Sequence, residues 1–166
     1  MNDDEANTCG RLPKASDCYV SALGLIEAER HVLTIARLFF QSFARPASQN
    51  WMAAMEEAEA FFGEDDGPLV AARTLALLKA IRQTRRSVFM FNTPGCPGCS
   101  AVATEQERKM MTSLVAIREG DIRRARVALV ELCESEYVDG IMRDVTRLAN
   151  LLCEPGAWQP NVVALH

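Results

Sequence analysis

Histidine is nearly absent from this chain of 166 residues, which carries two, His31 and the terminal His166. The commonest general base and the commonest neutral metal ligand are therefore missing from most of it. Neither histidine belongs to a Glu-x-x-His or His-Glu-x-x-His pattern, which excludes a carboxylate-bridged di-iron bundle and a zinc-protease helix. A phosphate-cradling glycine loop and a Gly-x-Ser-x-Gly elbow are also lacking. No window holds the roughly 20 uninterrupted apolar residues that a membrane helix requires. Basic excess is absent too. With 18 Lys and Arg against 22 Asp and Glu, the net charge of −4 speaks against a nucleic-acid partner, which needs a basic footprint. The acidic start Met1-Asn2-Asp3-Asp4-Glu5 is unlike the positively charged opening of a secretory signal. These absences lead to the expectation of a cytoplasmic protein with no membrane contact.

What remains is a composition of 49% apolar and 24% charged residues, suited to one globular domain with a real core. Residues 1–15 are polar and aperiodic and read as a flexible N-terminal arm. Residues 16–157 read as a single helical domain, and 158–166 as a C-terminal tail. A first helix is expected from Ser16 or Asp17, with Tyr19, Ala22, Leu23, Ile26, Leu33, Ala36, Phe40 and Phe43 on its apolar side. A second follows from Pro46 to Gly63. The third starts at Pro68 and carries Leu69, Ala72, Leu75, Leu78 and Ile81. After an interruption, Thr104-Glu105-Gln106-Glu107 has the form of a capping box, Gly120 a helix stop, and Asp121 the next N-cap. A last helix is expected from Ser135 to Cys153. The fold class is all-α: a compact bundle of five to six helices with a CxxC loop between the third and fourth.

That interruption holds the chemistry. The apolar run Val88-Phe89-Met90-Phe91 stops at Asn92-Thr93-Pro94-Gly95, and Cys96-Pro97-Gly98-Cys99 follows. Two cysteines at this spacing can grip one metal ion or close into a small reducible ring. A metal reading needs two further ligands, for which Cys133 and Cys153 stand at suitable places near helix ends. Those four thiolates could hold zinc or an iron–sulfur cluster. Against this, Cys133 and Cys153 both fall on apolar stripes, where cysteine commonly serves as a small core residue. Cys9 and Cys18 have no recognised ligand spacing and sit in or beside the arm.

Apolar run, CxxC and helix in succession locally resemble the start of the thioredoxin and glutaredoxin redox site. The resemblance spans about thirty residues and implies Cys96 as the attacking thiolate and Cys99 as the resolving one. The rest of the chain reads as helix where that family needs strands. The helical alkylhydroperoxidase D pattern requires a histidine four residues after the second cysteine, and Ala103 stands there. A c-type haem attachment requires histidine directly after it, where Ser100 stands.

Other features read as structural. Glu27 and His31 share a helix face, and His31 is expected to be solvated or hydrogen-bonded. Arg118, Arg123, Arg124 and Arg126 read as a solvated face, as do Arg82, Arg85 and Arg86. Trp51 and the Phe39, Phe40, Phe61 and Phe62 pairs exceed the needs of one stripe, so a protein partner or a second copy is expected on helices one and two, unless a central helix is buried on several sides. Two functions stand at this point. One is a thiol site, in an accessory or regulatory role, that binds a metal or iron–sulfur centre or switches between dithiol and disulfide. The other is a helical interaction module in which the cysteines are structural only. No catalytic base accompanies the thiols, so an independent enzyme is not expected.

Overall fold

Local start and stop signals lay out most of the helices. In the computed structural model, which describes residues 14–153, the Thr104 hydroxyl accepts from the Glu107 amide at 3.1 Å while the Glu107 carboxylate accepts from the Thr104 amide at 2.9 Å. This reciprocal box opens α4, Glu105–Arg118. Gly120 takes φ +79°, a left-handed conformation suited to glycine, and ends the turn after α4. Asp121 then caps α5, Ile122–Cys133, by accepting from the Arg124 amide at 2.9 Å.

The remaining elements are β1 (Cys18–Tyr19), α1 (Glu27–Ala44), α2 (Asn50–Thr84), the single turn α3 (Pro97–Ser100), β2 (Val102–Ala103) and α6 (Asp139–Cys153). The described residues are 75% helical, and their one sheet is the antiparallel pair β1–β2, in which Cys18 faces Ala103 and Tyr19 faces Val102. α1 packs along α2, α4 along α5, and α6 lies against both α2 and α4. The core between them includes Ile35, Leu78, Ile81, Leu114, Leu129, Leu132 and Leu148, all fully buried. Each such side chain contributes about 1.5–3 kcal/mol of hydrophobic stabilisation. The CxxC segment falls between the third and fourth long helical stretches, because α2 is two limbs joined at a kink. No described helix is long and apolar enough to cross a membrane.

Several local expectations are corrected. Residues 16–26 are not α-helical: Asp17 closes a turn on Lys14, β1 and a short 3-10 helix at Val20–Leu23 follow, and Gly24 reverses the chain at φ +68°. α1 therefore begins only at Glu27, where Glu29 reaches back to the Ile26 amide at 3.0 Å. Tyr19, Ala22 and Ile26 are exposed in consequence. In the second limb of α2 the inward set is Val70, Ala71, Thr74, Leu77, Leu78 and Ile81, while Leu69, Ala72 and Leu75 face out. That limb is apolar on both sides, so periodicity alone does not select a face. α6 starts at Asp139 and not at Ser135, because Glu134 is left-handed (φ +55°) and the Ser135 hydroxyl accepts from the Tyr137 amide. The extended run Val88–Phe91 has no sheet partner among the described residues. Cys9, His166, the tail 158–166 and residues 1–13 of the arm lie outside the described residues.

The kink in α2 depends on two glycines. Gly63 sits at φ +87° and ψ 169°, outside helical space, and the chain re-enters helix at once. Gly67 then lies so close to the first limb that a Cβ would stand 2.7 Å from both Cα and N of Glu59. Because those atoms are backbone, they cannot swing aside. Gly67→Ala is expected to destabilise the protein by about 1–3 kcal/mol in urea denaturation. Gly140, whose added Cβ would meet nothing nearer than 3.8 Å, should instead gain about 0.5–1 kcal/mol on replacement by Ala within α6.

Candidate functional site

A buried arginine holds the segment that carries the two cysteines. Arg37, 2% exposed on α1, donates from Nε to Glu107 Oε1 at 2.8 Å and from Nη2 to Glu107 Oε2 at 2.9 Å. The same guanidinium reaches the carbonyls of Ser100 (Nη1, 2.9 Å) and Val102 (Nη2, 2.7 Å). Glu107 also accepts from the Asn92 amide at 3.0 Å, and the Asn92 side chain donates to the Val102 carbonyl. Thr104 completes the frame by donating from its hydroxyl to the Met90 carbonyl at 2.7 Å. The loop is thereby tied at its entrance, through Met90 and Asn92, and at its exit, through Ser100, Val102 and Thr104. Between these anchors Thr93–Cys99 lies open, with Thr93, Gly95, Pro97 and Gly98 exposed.

Cys96 occupies the N-cap of α3, and Pro97 takes the first helical position, where its missing N–H costs nothing. The Ser100 amide donates to the Cys96 carbonyl at 2.8 Å, closing one turn. That turn sets both thiols on one side, and Cys96 and Cys99 approach to 3.4 Å. Both are partly exposed. A disulfide between them requires the sulfurs to come to about 2.05 Å. The arrangement can form a disulfide, and it can present two thiolates to one acceptor.

The other cysteines are dispersed. Cys133 lies in the core at the end of α5, where burial pushes its thiol up to about 11, partly opposed by Arg85. Cys153 is exposed at the end of α6. Among the described residues, no group of three or more His, Cys, Asp or Glu side chains is placed to hold a metal ion. The structure therefore does not bring Cys133 or Cys153 to the Cys96–Cys99 pair. Cys18, read from the sequence as incidental, is instead built into the site's margin: β1 pairs it with Ala103, and burial raises its pKa against the opposing charge of Arg108. No spacing rule signals a two-residue strand.

Several members of the charged clusters form ion pairs, from exposed ones to one with the buried Glu29. His31 Nδ1 lies 2.6 Å from Glu57 Oε1 and its ring stacks on Phe61, so its carboxylate partner is on α2 and is not Glu27. Arg118 pairs with Glu29, Arg124 with Glu119 and Arg126 with Asp139. Of the aromatic surplus, Phe39, Phe40 and Phe62 are core, whereas Trp51 is exposed.

Compared with known proteins, the chain matches no family model, no curated protein and no solved structure.

Two measurements follow from this geometry. Replacing Arg37 with Met leaves the Glu107 carboxylate buried without its cation, and should cost about 3–5 kcal/mol in urea unfolding. The second concerns Cys133: with its thiol near 11 it holds about one thiolate in a thousand at pH 8, and the thiolate is the nucleophile. Timed alkylation of the native protein with iodoacetamide, followed by peptide mapping, should find Cys133 the last described cysteine to react.

Proposed function

We propose that the protein is a cytoplasmic thiol switch whose Cys96 and Cys99 cycle between dithiol and disulfide in an accessory or regulatory role. The observation that carries this is the 3.4 Å approach of two partly exposed cysteines on one turn. The co-reactant is a disulfide, of a small thiol or of a protein. One thiolate, assigned to Cys96 at the N-cap of α3, attacks a sulfur of that disulfide and expels the first thiolate, leaving a mixed disulfide on Cys96. Cys99 then loses its proton and attacks the Cys96 sulfur, expelling the second thiolate. Two protein thiols and one disulfide become one protein disulfide and two thiols, so electrons and protons balance.

The pair supports this better than it supports a resident metal. A closed tetrahedral zinc site takes four ligands, and the described residues bring together two. Zinc or an iron–sulfur cluster on this loop would need its other ligands from beyond residues 14–153 or from a partner chain. The interaction-module reading is favoured by one feature, the exposed Leu69 and Leu75 on the second limb of α2 together with the exposed Trp51 and Met52 on the first.

Equilibration in glutathione buffers of graded potential, with acid quenching and mass analysis, tests the switch. The expected result is a reversible loss of two thiols in one step, confined to the Cys96–Cys99 peptide. Cys99→Ser should halt the reaction at a glutathione adduct on Cys96, and Cys133→Ser should leave the transition unchanged. A pair that stays reduced across the range, or two cysteines that form separate adducts in the native sequence, overturns the proposal.

A further inference from the structure

A second site lies where α1, the end of α2 and the extended run meet. The C-terminal half of α1 contributes Phe40 and Phe43, and the run contributes Phe89. Phe40 stacks on Phe89 with ring centroids 4.3 Å apart, and Phe43 meets Phe40 edge-on at 6.1 Å. Between them and the end of α2 a cavity of about 210 Å³ opens. That is below the roughly 300 Å³ at which drug-sized sites begin, so it suits a body of about one ring.

Its charged lining is of one sign. Arg82 places its guanidinium carbon 4.4 Å over the Phe43 ring, a cation–π arrangement that holds it at the wall. Among the described residues Arg82 has no ion pair, while Arg85, which also lines the cavity, pairs with Glu134 at 3.1 Å and donates to the Leu132 carbonyl. Arg85 is 8% exposed, and its Nε is a buried donor with no partner among the described residues. No carboxylate lines the cavity. One cation without an ion pair among the described residues matches a monoanion, and a phosphate dianion would leave charge unmatched.

We propose that this cavity binds a small organic carboxylate whose flat apolar body lies between Phe43 and Phe89 and whose carboxylate meets Arg82 and Arg85. The site is separate from the thiol pair and does not depend on it. Sodium benzoate titrated into the isotope-labelled full chain, followed by amide resonances, is the test, with benzamide as the neutral isostere. Saturable shifts should concentrate at Arg82, Ser87 and Phe89, and benzamide should bind at least about tenfold more weakly. Arg82 is exposed, so Arg82→Gln should fold normally; it should weaken benzoate about tenfold and leave benzamide unchanged. Arg86→Gln, outside the lining, should change neither, and the Cys96→Ser/Cys99→Ser double variant should bind as the native chain does. Absence of saturable shifts at about 10 mM benzoate, equal affinity for the two probes, or an unchanged affinity in Arg82→Gln each overturns the proposal.

Discussion

The ion pair between Arg37 and Glu107 is the interaction on which the rest of the arrangement depends. Both side chains are buried, Glu107 completely, and a lone charge in that position would cost several kcal/mol. The cost is offset because the polar valences are filled. The guanidinium spends its donors on the carboxylate and on two loop carbonyls, and each carboxylate oxygen receives a backbone amide as well as an arginine N–H. Asn92 Oδ1 alone in this network is buried without a partner among the described residues, and moving either ion leaves the other unpaired in a low-dielectric interior. It joins α1, the entrance and exit of the loop, and the first turn of α4. What it stabilises is less the bundle, which its apolar core accounts for, than the position of a loop that has no core of its own.

Half of that network was legible in the sequence. Thr104 and Glu107 announce a capping box by spacing alone, and Gly120-Asp121 announces the hairpin between α4 and α5. The other half was hidden because it is non-local. Arg37 lies 70 residues from Glu107, within the apolar stripe of α1, and nothing in its neighbourhood marks it as a buried cation. Glu107 does two things at once: its local role as a cap concealed its role as a counterion. The same difference separates the cysteines. The Cys96–Cys99 pair is a local signal and survives, whereas any grouping with Cys133 or Cys153 required knowledge of how helices pack. Cys18 shows the converse, a residue with no local signal that a two-residue ladder brings to Ala103 beside the site.

The errors in helix placement share a cause. Apolar spacing from Tyr19 to Ile26 fits a helix, yet Gly24 and the reach of Glu29 to the Ile26 amide start the helix later. Leu69, Ala72 and Leu75 fit one face of α2 as well as Val70, Thr74 and Leu77 fit another. Periodicity counts candidates for burial; it does not say which candidate meets a neighbour. Here Gly67 decides, by letting the second limb approach the backbone of Glu59 and so fixing its rotation.

The open turn and the anchored base make a consistent device. On the proposed switch reading, a disulfide across Cys96 and Cys99 would form at a turn whose intervening Pro97 and Gly98 are exposed. Yet the Ser100 carbonyl that accepts from Arg37 belongs to the residue whose amide donates to Cys96. Any redox-linked shift of α3 therefore meets the buried network at one bond, and at Ser100 before it reaches Glu107. A stiff frame in this position favours switching between two local geometries over a spreading rearrangement, because a close-packed core with paired charges does not deform continuously. On the proposed switch reading, the bundle would hold two thiols at one distance while leaving them accessible.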